Sequence, residues 1–507
     1  MNQALALEIM LSGESVLLTG AAGSGKTHLL NRFIQIARSE GRLVAVTATT
    51  GLAATHLNGN TIHSWSGIGI HNELPYRHAE NLPQSRRDTI ESTDVLVIDE
   101  ISMLHDFRLD IVDQLLRSVR NSDEPFGGLQ VIMCGDFFQL PPINRPGERE
   151  GGFVVHSQVW QQLNPVICYL DEQHRQDDGD FLDILEAIRS GNVRRGHVER
   201  LLEQRDAELG YGQDYTQLHT TNADVDAQNN TKLQSLDSES RIYSMSTTGK
   251  ENYVDSLKRS CLAQEELELR KGALVMCIRN SQDKKFVNGS IGTVIGFEAT
   301  TNYPMVELRS GRKIVIEPAT WELMDGDKKR ASLTQIPLRL AWAITVHKSQ
   351  GMTLDAARID LRRAFVEGMG YVALSRVRNL SALSLTGINA MALKVSSDAL
   401  EIDASLRAKS NQDRLRFSHL QEKAQSRADK PAPTQQPKKS WADRVAIMRQ
   451  THPKAFTPWK PSDDEKLLKL FNSGAGMSEI TSALQRQPGS IKARLKKSFG
   501  YNVEIPT

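Results

Sequence analysis

The chain has 507 residues, of which 39% are hydrophobic and 24% are charged, as is typical of a soluble protein of two to four domains. A formal net charge of +1 points to no class of partner by itself, and no apolar run approaches the length of a membrane span. The charge is uneven, however, because residues 431–507 carry 13 Lys and Arg against 6 Asp and Glu. The cysteines form no C-x-x-C pair and are expected to be reduced core thiols, which excludes a disulfide framework and a cysteine zinc site: Cys134, Cys168, Cys261 and Cys277. Together these features predict a cytoplasmic or nucleoid-associated protein.

The first predicted strand leads directly into a phosphate-binding loop. An apolar run at 16–19 is followed by the pattern G-x-x-x-x-G-K-[ST] at 20–27 and then by helical spacing. The glycines let backbone N–H groups turn onto a phosphate, and the helix N-terminus favours negative charge. Lys26 would reach the β- and γ-phosphates, the Thr27 hydroxyl would ligate Mg²⁺, and the Gln3 amide could read an adenine edge. The predicted ATP-binding residues are Gln3, Gly20, Ala21, Ala22, Gly23, Ser24, Gly25, Lys26, Thr27 and His28.

The second predicted strand ends in a row of small hydroxyl residues. Thr47, Thr49 and Thr50 stand where side chains can hold the phosphates of an extended strand of nucleic acid, and Gly51 opens the next helix. A polar and aromatic cluster follows at 61–65. For that cluster, a turn that packs one tryptophan on the core is an open alternative to a functional role.

Two carboxylates and a glutamine follow the next two predicted strands. The strand at 95–98 delivers Asp99 and Glu100, which suit a Mg²⁺ ion held through its water shell and a water molecule polarised for attack. The strand at 130–134 leads to Gln139, which could sense the γ-phosphate. Alternating strands and helices predict a parallel α/β sheet whose ligand lies beyond the carboxyl ends of the strands.

Five segments of this region occur in the order typical of the Pif1 helicases, which are relatives of RecD and the phage Dda helicase in superfamily 1B. They are G-A-A-G-S-G-K-T at 20–27, T-A-T-T-G-L-A-A at 47–54, T-I-H-S-W at 61–65, D-E-I-S-M at 99–103 and G-D-F-F-Q-L-P-P at 135–142. The last two are specific to that branch. The resemblance implies a monomeric, ATP- and Mg²⁺-dependent DNA helicase that moves 5′ to 3′ on single-stranded DNA and unwinds forked or tailed duplexes.

The resemblance also implies a fold with two RecA-like lobes built on parallel sheets, a small SH3-like β-barrel inserted in the second lobe and a small all-α C-terminal domain. The expected bounds are 1–165 for lobe one with a small wedge insertion at about 71–92, 166–270 and 336–400 for lobe two, 271–335 for the barrel, 401–440 for a helix and Pro-rich linker, and 441–507 for the C-terminal domain. Short predicted strands separated by Gly and Asn turns favour the barrel. A plain β-hairpin extension of the lobe sheet is the alternative.

Side chains of the second lobe complete the two predicted sites. By resemblance, Arg175 reaches across to the γ-phosphate, and Arg376 supplies the cation that stabilises charge on it in the transition state. The catalytic set is then Lys26, Asp99, Glu100, Gln139, Arg175 and Arg376. His347, Lys348 and Thr353 combine a flat ring, a cation and a hydroxyl, which suit a single strand. The predicted DNA-binding residues are Thr47, Thr49, Thr50, Gly51, His63, Ser64, Asn288, His347, Lys348, Thr353, Lys492, Arg494, Lys496 and Lys497.

The basic C-terminal region is predicted to form three short helices after a proline-rich linker. Ser462 and Glu465 form a capping box for the first helix. The third helix would present the basic side chains Lys492, Arg494, Lys496 and Lys497. This arrangement resembles a helix-turn-helix or Myb-like DNA-binding module. A basic three-helix bundle that docks a protein is the alternative.

Two other functions fit the same segments. One is an ATPase subunit of a RecD-like recombination complex, which would need replication or repair proteins as partners. The other is a DNA-anchored remodeller that uses ATP without separating strands. A helicase should present a wedge to the fork, for which Pro75 and Tyr76 are the candidates within 71–92. No membrane partner is expected.

Overall fold

The computed structural model of the chain describes residues 1–57, 59–69, 72–74, 77–144, 149–172, 178–209, 215–261, 263–279, 281, 285–286, 289–325, 328–354, 356–428, 459, 461–486, 491 and 494–495. The chain divides into two compact units, Met1–Pro431 and Ala432–Thr507. No helix among the described residues is long and apolar enough to cross a bilayer. All four cysteines are described, and none forms a disulfide.

The first lobe is built on a six-stranded parallel sheet. Its strands are β1 Val16–Gly20, β2 Val44–Ala48, β3 Asn60–Thr61, β4 Val95–Asp99, β5 Gln130–Cys134 and β6 Val166–Leu170. They lie in the order β3-β2-β4-β5-β1-β6, and every ladder is parallel. Alternate residues of β1 face opposite cores, since Leu17 belongs to one hydrophobic cluster and Val16 and Leu18 to another. A sheet covered on both faces explains the unbroken apolar strands, and the predicted parallel sheet is confirmed. Strand β6 pairs with β1, so the first lobe extends beyond the predicted boundary at 165.

Helices connect the strands of this lobe and cover its faces. They are α1 Gln3–Leu11, α2 Lys26–Ser39, α3 Gly51–His56, α4 Ile62–Ser66, α5 His78–Asn81, α6 Gln84–Ser92, α7 Asp106–Arg120 and α8 Gln158–Leu163. The Asn2 side chain caps α1 by accepting from Leu5 N. The predicted insertion at 71–92 contains α5 and α6. Its candidate wedge residues, Pro75 and Tyr76, lie outside the described residues.

The remaining strands belong to the second lobe and its insertion. They are β7 Thr216–His219, β8 Ser240–Ser244, β9 Ser246–Gly249, β10 Glu266–Arg270, β11 Leu274–Cys277, β12 Ile291–Phe297, β13 Pro304–Leu308, β14 Lys313–Val315, β15 Ala319–Asp325, β16 Lys328–Gln335, β17 Leu338–Leu340, β18 Ala343–Thr345, β19 Ala357–Leu361 and β20 Leu383–Ile388. A second parallel sheet has the order β18-β7-β19-β20. The helices in this region are α9 Gly179–Arg189, α10 Arg195–Glu203, α11 Asn222–Gln234, α12 Glu251–Ser260 and α13 Met369–Leu374.

Antiparallel strands occupy the predicted insertion. They form a five-stranded sheet in the order β14-β13-β12-β11-β17, a three-stranded sheet β15-β16-β9 and a two-stranded sheet β10-β8. None of these strands shares a described ladder with the parallel sheet of the second lobe, so the hairpin-extension alternative is wrong. The antiparallel region also begins earlier than residue 271. Strand β9, Ser246–Gly249, is exposed along its whole length, and a polar strand gives no alternating hydrophobic signal.

A helical segment after the second parallel sheet returns to the first lobe. It consists of α14 Ser397–Arg416 and α15 Gln421–Ala428. The Asp413 carboxylate accepts from Ile167 N at 2.8 Å and the Ser410 hydroxyl from Tyr169 N at 3.2 Å. These side chains satisfy donors on β6, which is the edge strand of its sheet. The first part of the predicted helix and linker at 401–440 is therefore packed on the first lobe.

The C-terminal unit contains two described helices, α16 Pro461–Asn472 and α17 Met477–Leu484. Helix α16 begins at Pro461, one residue before the predicted N-cap Ser462, because the fixed φ of proline suits a first helical position. Leu467, Ile480 and Leu484 share a small core with Ile491 and Leu495. Gln485 adopts a left-handed φ of 55° where α17 ends.

Candidate nucleotide site and nucleic-acid groove

The phosphate-binding loop joins β1 to α2 at the carboxyl edge of the first sheet. Gly20, Gly23 and Gly25 have φ values of +147°, +91° and +86°, and a Cβ at Gly20 would lie 2.7 Å from the carbonyl oxygen of Leu170. The Lys26 ammonium donates to the carbonyl oxygens of Gly20 at 2.8 Å and Ala21 at 2.9 Å. The loop thus forms a glycine-dependent cradle that holds its own cation at the N-terminus of α2.

Other residues predicted to bind ATP lie in this loop or beside it. The Gln3 amide donates to the carbonyl oxygen of Ser24 at 3.2 Å, which places it beside the loop. The Ser24 hydroxyl is fully buried and has no partner among the described residues. Thr27 and His28 are exposed at the start of α2. A cradle of backbone donors with a neighbouring buried hydroxyl fits a bound polyphosphate.

The two predicted carboxylates lie next to the loop at the end of β4. Asp99 accepts from the backbone N–H of Glu100 at 2.9 Å, and Glu100 has a left-handed φ of 52°. Such a backbone costs energy for a non-glycine residue and is typical of functional sites. On the opposite side, the Gln350 amide of the second lobe donates to Glu100 Oε2 at 2.9 Å. The two lobes therefore meet at this carboxylate.

Burial shifts the pKa of three charged groups at this position. It raises the pKa of Asp99. Burial, followed by the neighbouring Asp99 charge, raises the pKa of Glu100 to about 7. It also lowers the pKa of the Lys26 ammonium, although Asp136 beside it acts in the opposite direction. A partly buried carboxyl with a pKa near neutrality can exchange a proton with a reacting water molecule at physiological pH.

A cavity of about 330 Å³ is lined by both lobes at this point. Lys26, Thr27, Asp99, Glu100 and Gln139 come from the first lobe, and Gly351, Thr353, Arg376 and Arg378 come from the second. The residues that could hold Mg²⁺ are Thr27 and Asp99. The described residues contain no cluster of three His, Cys, Asp or Glu ligands. The pair Thr27 and Asp99 fits Mg²⁺, because this ion takes few protein ligands and completes its shell with phosphate oxygens and water.

Two arginines of the second lobe were predicted to act on the γ-phosphate, and the structure describes one of them. Arg376 is 1% exposed and donates to the carbonyl oxygens of Val372 at 2.7 Å and of Ser349 and Met352 at 3.3 Å. It is thus held rigidly at the cavity wall. Arg175 lies outside the described residues. Arg378 lines the same cavity but was not singled out, although it follows Arg376 by only two positions.

Gln139 and the prolines after it connect this cavity to a second one. The Gln139 amide donates to Asp136 at 3.4 Å, and its Oε1 has no partner among the described residues. The next five residues, 140–144, line a groove of about 690 Å³ between the two lobes. A single proline-stiffened segment therefore lies along both the nucleotide cavity and the groove.

The wall of the groove from the second lobe carries His347, Lys348 and Phe365. The Lys348 ammonium donates to Asn222 Oδ1 at 2.9 Å. Burial lowers the pKa of Lys348 and of His347. His347 is therefore a neutral ring at pH 7, stacked on Phe365 with 6.3 Å between ring centroids. A cation and flat rings in one groove suit a single strand of nucleic acid.

Three other residues predicted to contact DNA, Thr47, Thr49 and Thr353, do not line this groove. Thr47 is fully buried and donates to the carbonyl oxygen of Val97 at 2.6 Å, because its side chain points into the sheet, and this does not fit a phosphate contact. Thr49 donates to the carbonyl oxygen of Glu100 at 2.9 Å. Thr353 lines the nucleotide cavity instead of the groove.

Nearby side chains cap the N-termini of the two helices that begin close to Thr50 and His63. Thr50 Oγ1 accepts from Ala53 N at 3.2 Å, beside Gly51 at the start of α3. Ser64 N donates to Thr61 Oγ1 at 3.2 Å. Burial, with the nearby Arg108 and His105, lowers the pKa of His63 to about 4, so this ring is neutral at pH 7. Its neighbour Trp65 is buried in the core, as the alternative interpretation of that cluster required.

The predicted contacts in the insertion and C-terminal unit are largely outside the described residues: Asn288, Lys492, Lys496 and Lys497. Arg494 is described, and it donates to both carboxylate oxygens of Asp464 at 2.8 and 2.7 Å. A bidentate pair occupies the guanidinium edge that a phosphate would need. Arg494 therefore does not fit the predicted phosphate contact, and its partner stood thirty positions away in the sequence.

A buried ionic network between the lobes was missed by the sequence analysis. Arg189 donates to both oxygens of Asp136 at 2.8 and 2.9 Å, to Tyr371 Oη at 3.2 Å and to Tyr169 Oη at 2.9 Å. Tyr371, from α13, also accepts from the N–H of Ala22 in the phosphate loop at 3.0 Å. The network therefore ties the loop to the second lobe behind the nucleotide cavity.

Comparisons with known proteins agree with this architecture. A model of the PIF1-like helicase family matches residues 1–199, and one of the 2B domain of DNA helicase Pif1 matches residues 252–297. The ATP-dependent DNA helicase Pif1 of a Psychrobacter species is 40% identical over 83% of this chain and 73% of its own length. The human ATP-dependent DNA helicase PIF1 is 37% identical over 80% of this chain, which spans only 63% of that protein.

Solved structures of Pif1 helicases are also similar to this chain. Bacteroides Pif1 in complex with ADP-AlF4 aligns with a TM-score of 0.71 at 33% identity, over 81% of this chain and 98% of that one. Bacteroides Pif1 bound to single-stranded DNA aligns with a TM-score of 0.60 at 34% identity, over 81% of this chain and 97% of that one. Because a relative at 40% identity spans most of both chains, the chain belongs to the PIF1-like helicase family.

Proposed function

We propose that the protein is an ATP-dependent DNA helicase. The observation that carries this proposal is the cavity shared by two lobes, with Lys26, Glu100 and Gln139 on one side and Arg376 on the other. A nucleotide in that cavity contacts both lobes, so binding draws them together and hydrolysis releases them. The neighbouring groove is also lined by both lobes, and a strand lying in it would be shifted by the same rearrangement.

The finer features of the reaction belong to the same proposal. Thr27 and Asp99 are the residues that would hold Mg²⁺, which when bound would supply positive charge beside the phosphates. Glu100 accepts the proton of the attacking water, since its carboxylate lines the same cavity as Lys26 and Asp99. Movement is 5′ to 3′ on single-stranded DNA, which rests on family membership because the side chains alone do not orient a strand.

ATP hydrolysis by the purified chain, with and without single-stranded DNA, tests the proposed site. Lys26→Ala should abolish hydrolysis, and Glu100→Gln should retain ATP and DNA binding while stopping turnover. Lys232→Ala and Glu91→Gln make the same chemical changes at exposed positions and should leave hydrolysis unchanged. Hydrolysis at the wild-type rate by either site variant would reject the assignment.

The state of the active protein is a further part of the proposal. We expect the purified chain to act alone as a monomer, without replication or repair proteins. One related structure concerns DNA unwinding at forked duplex DNA by two coordinating Pif1 helicases. Size-exclusion chromatography with and without a forked duplex distinguishes one copy from two. Unwinding that appears only when partner proteins are added would favour the RecD-like alternative.

A further inference from the structure

Two exposed apolar side chains line the same groove and come from different lobes. Ile143 of the first lobe is 56% exposed and Phe365 of the second is 61% exposed, and both line the groove of about 690 Å³. Scattered exposed hydrophobic residues are ordinary on a protein surface. A pair that lines one groove from two lobes is different, because any ligand that fills the groove covers both.

Phe365 is held as a flat surface. Its ring lies at 21° to the ring of His347, with 6.3 Å between centroids, and the pair forms an offset stack. His347 is neutral because burial lowers its pKa, so neither ring carries charge at pH 7. The Phe365 ring is thus backed by a second ring and remains 61% exposed. This is the surface on which a nucleic-acid base can stack with little loss of entropy.

The backbone around Phe365 lies tightly against the other wall. Gly368, three residues later, has a φ of +81°, and a Cβ there would lie 2.6 Å from the carbonyl oxygen of Gln139. The chain of the first lobe continues from Gln139 through Pro141 and Pro142 to Ile143. Two prolines and this close approach therefore restrict the backbone that leads from Gln139 to Ile143.

We propose that Ile143 and Phe365 hold one base of the single strand between them, so that the groove grips the strand through a base as well as through its phosphates. Lys348 in the same groove provides the cation for a neighbouring phosphate. Because the two walls belong to different lobes, the gap for the base changes as the lobes rearrange. This inference rests on the proposed function, since it takes single-stranded DNA as the ligand of the groove.

Fluorescence anisotropy with two oligonucleotides of equal length separates base contact from phosphate contact. One is oligo(dT), and the other carries abasic sites throughout its central part. Phe365→Ala should weaken binding of oligo(dT) by about 5- to 150-fold, as expected for one stacked base, and leave binding of the abasic strand unchanged. Phe365→Trp should restore discrimination between the two strands. Equal weakening for both strands would overturn the proposal.

Ile143 is tested in the same assay. Ile143→Ala should weaken oligo(dT) binding less than Phe365→Ala does, because an aliphatic side chain covers less of a base. The double variant should lose less affinity than the product of the two single effects, since both side chains contact one base. If the loss of affinity in the double variant equals the product of the two single losses, the two side chains do not share one base.

Controls keep this test separate from the proposed function. Leu415→Ala removes an apolar side chain that is 72% exposed on α14, outside the groove, and should leave binding of both strands unchanged. A thermal midpoint like that of the wild type verifies that Phe365→Ala is folded. If the wild type binds neither strand, the proposed function fails. If the wild type binds both strands equally well, the proposed contact with a base is wrong and the proposed function is unaffected.

A second readout does not depend on variants. A 2-aminopurine base is moved one position at a time along the oligonucleotide, and its fluorescence is measured in the complex with the wild type. A base stacked on Phe365 should be quenched at one position more than at its neighbours, and Phe365→Ala should remove that extra quenching. A uniform signal at all positions in the wild type would overturn the proposal.

Discussion

Removing Arg189 should destabilise the first unit strongly. Its side chain is buried, and it holds Asp136, which is 0% exposed, through hydrogen bonds of 2.8 and 2.9 Å. It also donates to Tyr371 and Tyr169, which link it to both lobes. Arg189→Met keeps a long apolar stem of similar reach but removes every donor. The variant leaves a buried carboxylate without its principal counter-charge.

The expected cost follows from that arrangement. Breaking a buried ion pair by removing one partner costs about 3–5 kcal/mol, because the remaining charge is left desolvated. Replacing both partners should restore much of the loss, so Arg189→Met with Asp136→Asn should be more stable than Arg189→Met alone. Arg200→Met is the matched control. Arg200 pairs with the exposed carboxylates of Asp180 and Asp183, and its loss should not measurably change stability.

Urea unfolding followed by tryptophan fluorescence measures these differences, and pH provides a second test. Burial by itself would raise the pKa of Asp136, but Arg189 and Lys26 hold it below its ordinary value. The pair therefore contributes its full stability above the pKa of an unfolded aspartate and loses it as pH falls through the lower folded value. The gap between wild type and Arg189→Met should thus be largest at neutral pH and shrink in acid. An unfolding midpoint unchanged at pH 7, or a double variant no more stable than the single one, would refute this reasoning.

Three further outcomes are expected. kcat/KM for ATP should rise with pH through about 7, because Glu100 must lose its proton to act as a base, and a flat profile from pH 5.5 to 8.5 would contradict that role. Arg376→Ala should still bind ATP, measured with a fluorescent analogue, but hydrolyse it roughly 10³- to 10⁵-fold more slowly, so a fall of less than tenfold would show that the lobes do not share the site. In salt titrations of DNA binding, Lys348→Ala should flatten the slope of log K against log salt by about 0.7. Arg494→Ala should leave that slope unchanged, because Asp464 already occupies this arginine, and an equal flattening by both variants would contradict that assignment.

The first lobe was the most predictable part of the molecule. Its fully buried strands read as continuous apolar runs, and the phosphate loop, Asp99 and Glu100 each follow such a run directly. Residues that follow parallel strands meet at one edge of a sheet, so their proximity could be derived without contacts. The direction of an individual side chain could not. Thr47 and Thr49 both lie near the end of β2, yet only the structure shows the first pointing into the sheet.

Contacts between distant segments were not predictable in the same way. Arg189 and Asp136 are 53 positions apart, and the local sequence around neither residue predicts the pair. The return of α14 to the edge of β6 depends on Asp413 meeting Ile167, 246 positions earlier. Phe365 was not singled out from the sequence, because exposure is a property of the folded groove and not of local sequence.

Strand displacement by the purified chain tests the central claim most directly. Two duplexes are compared that differ only in whether the single-stranded tail is at the 5′ or the 3′ end, each with and without ATP and Mg²⁺. The protein should separate the 5′-tailed duplex only when both are present, and Lys26→Ala should separate neither. Hydrolysis of ATP on single-stranded DNA without any strand separation would contradict the helicase assignment, and equal or greater activity on the 3′-tailed duplex would contradict the proposed polarity.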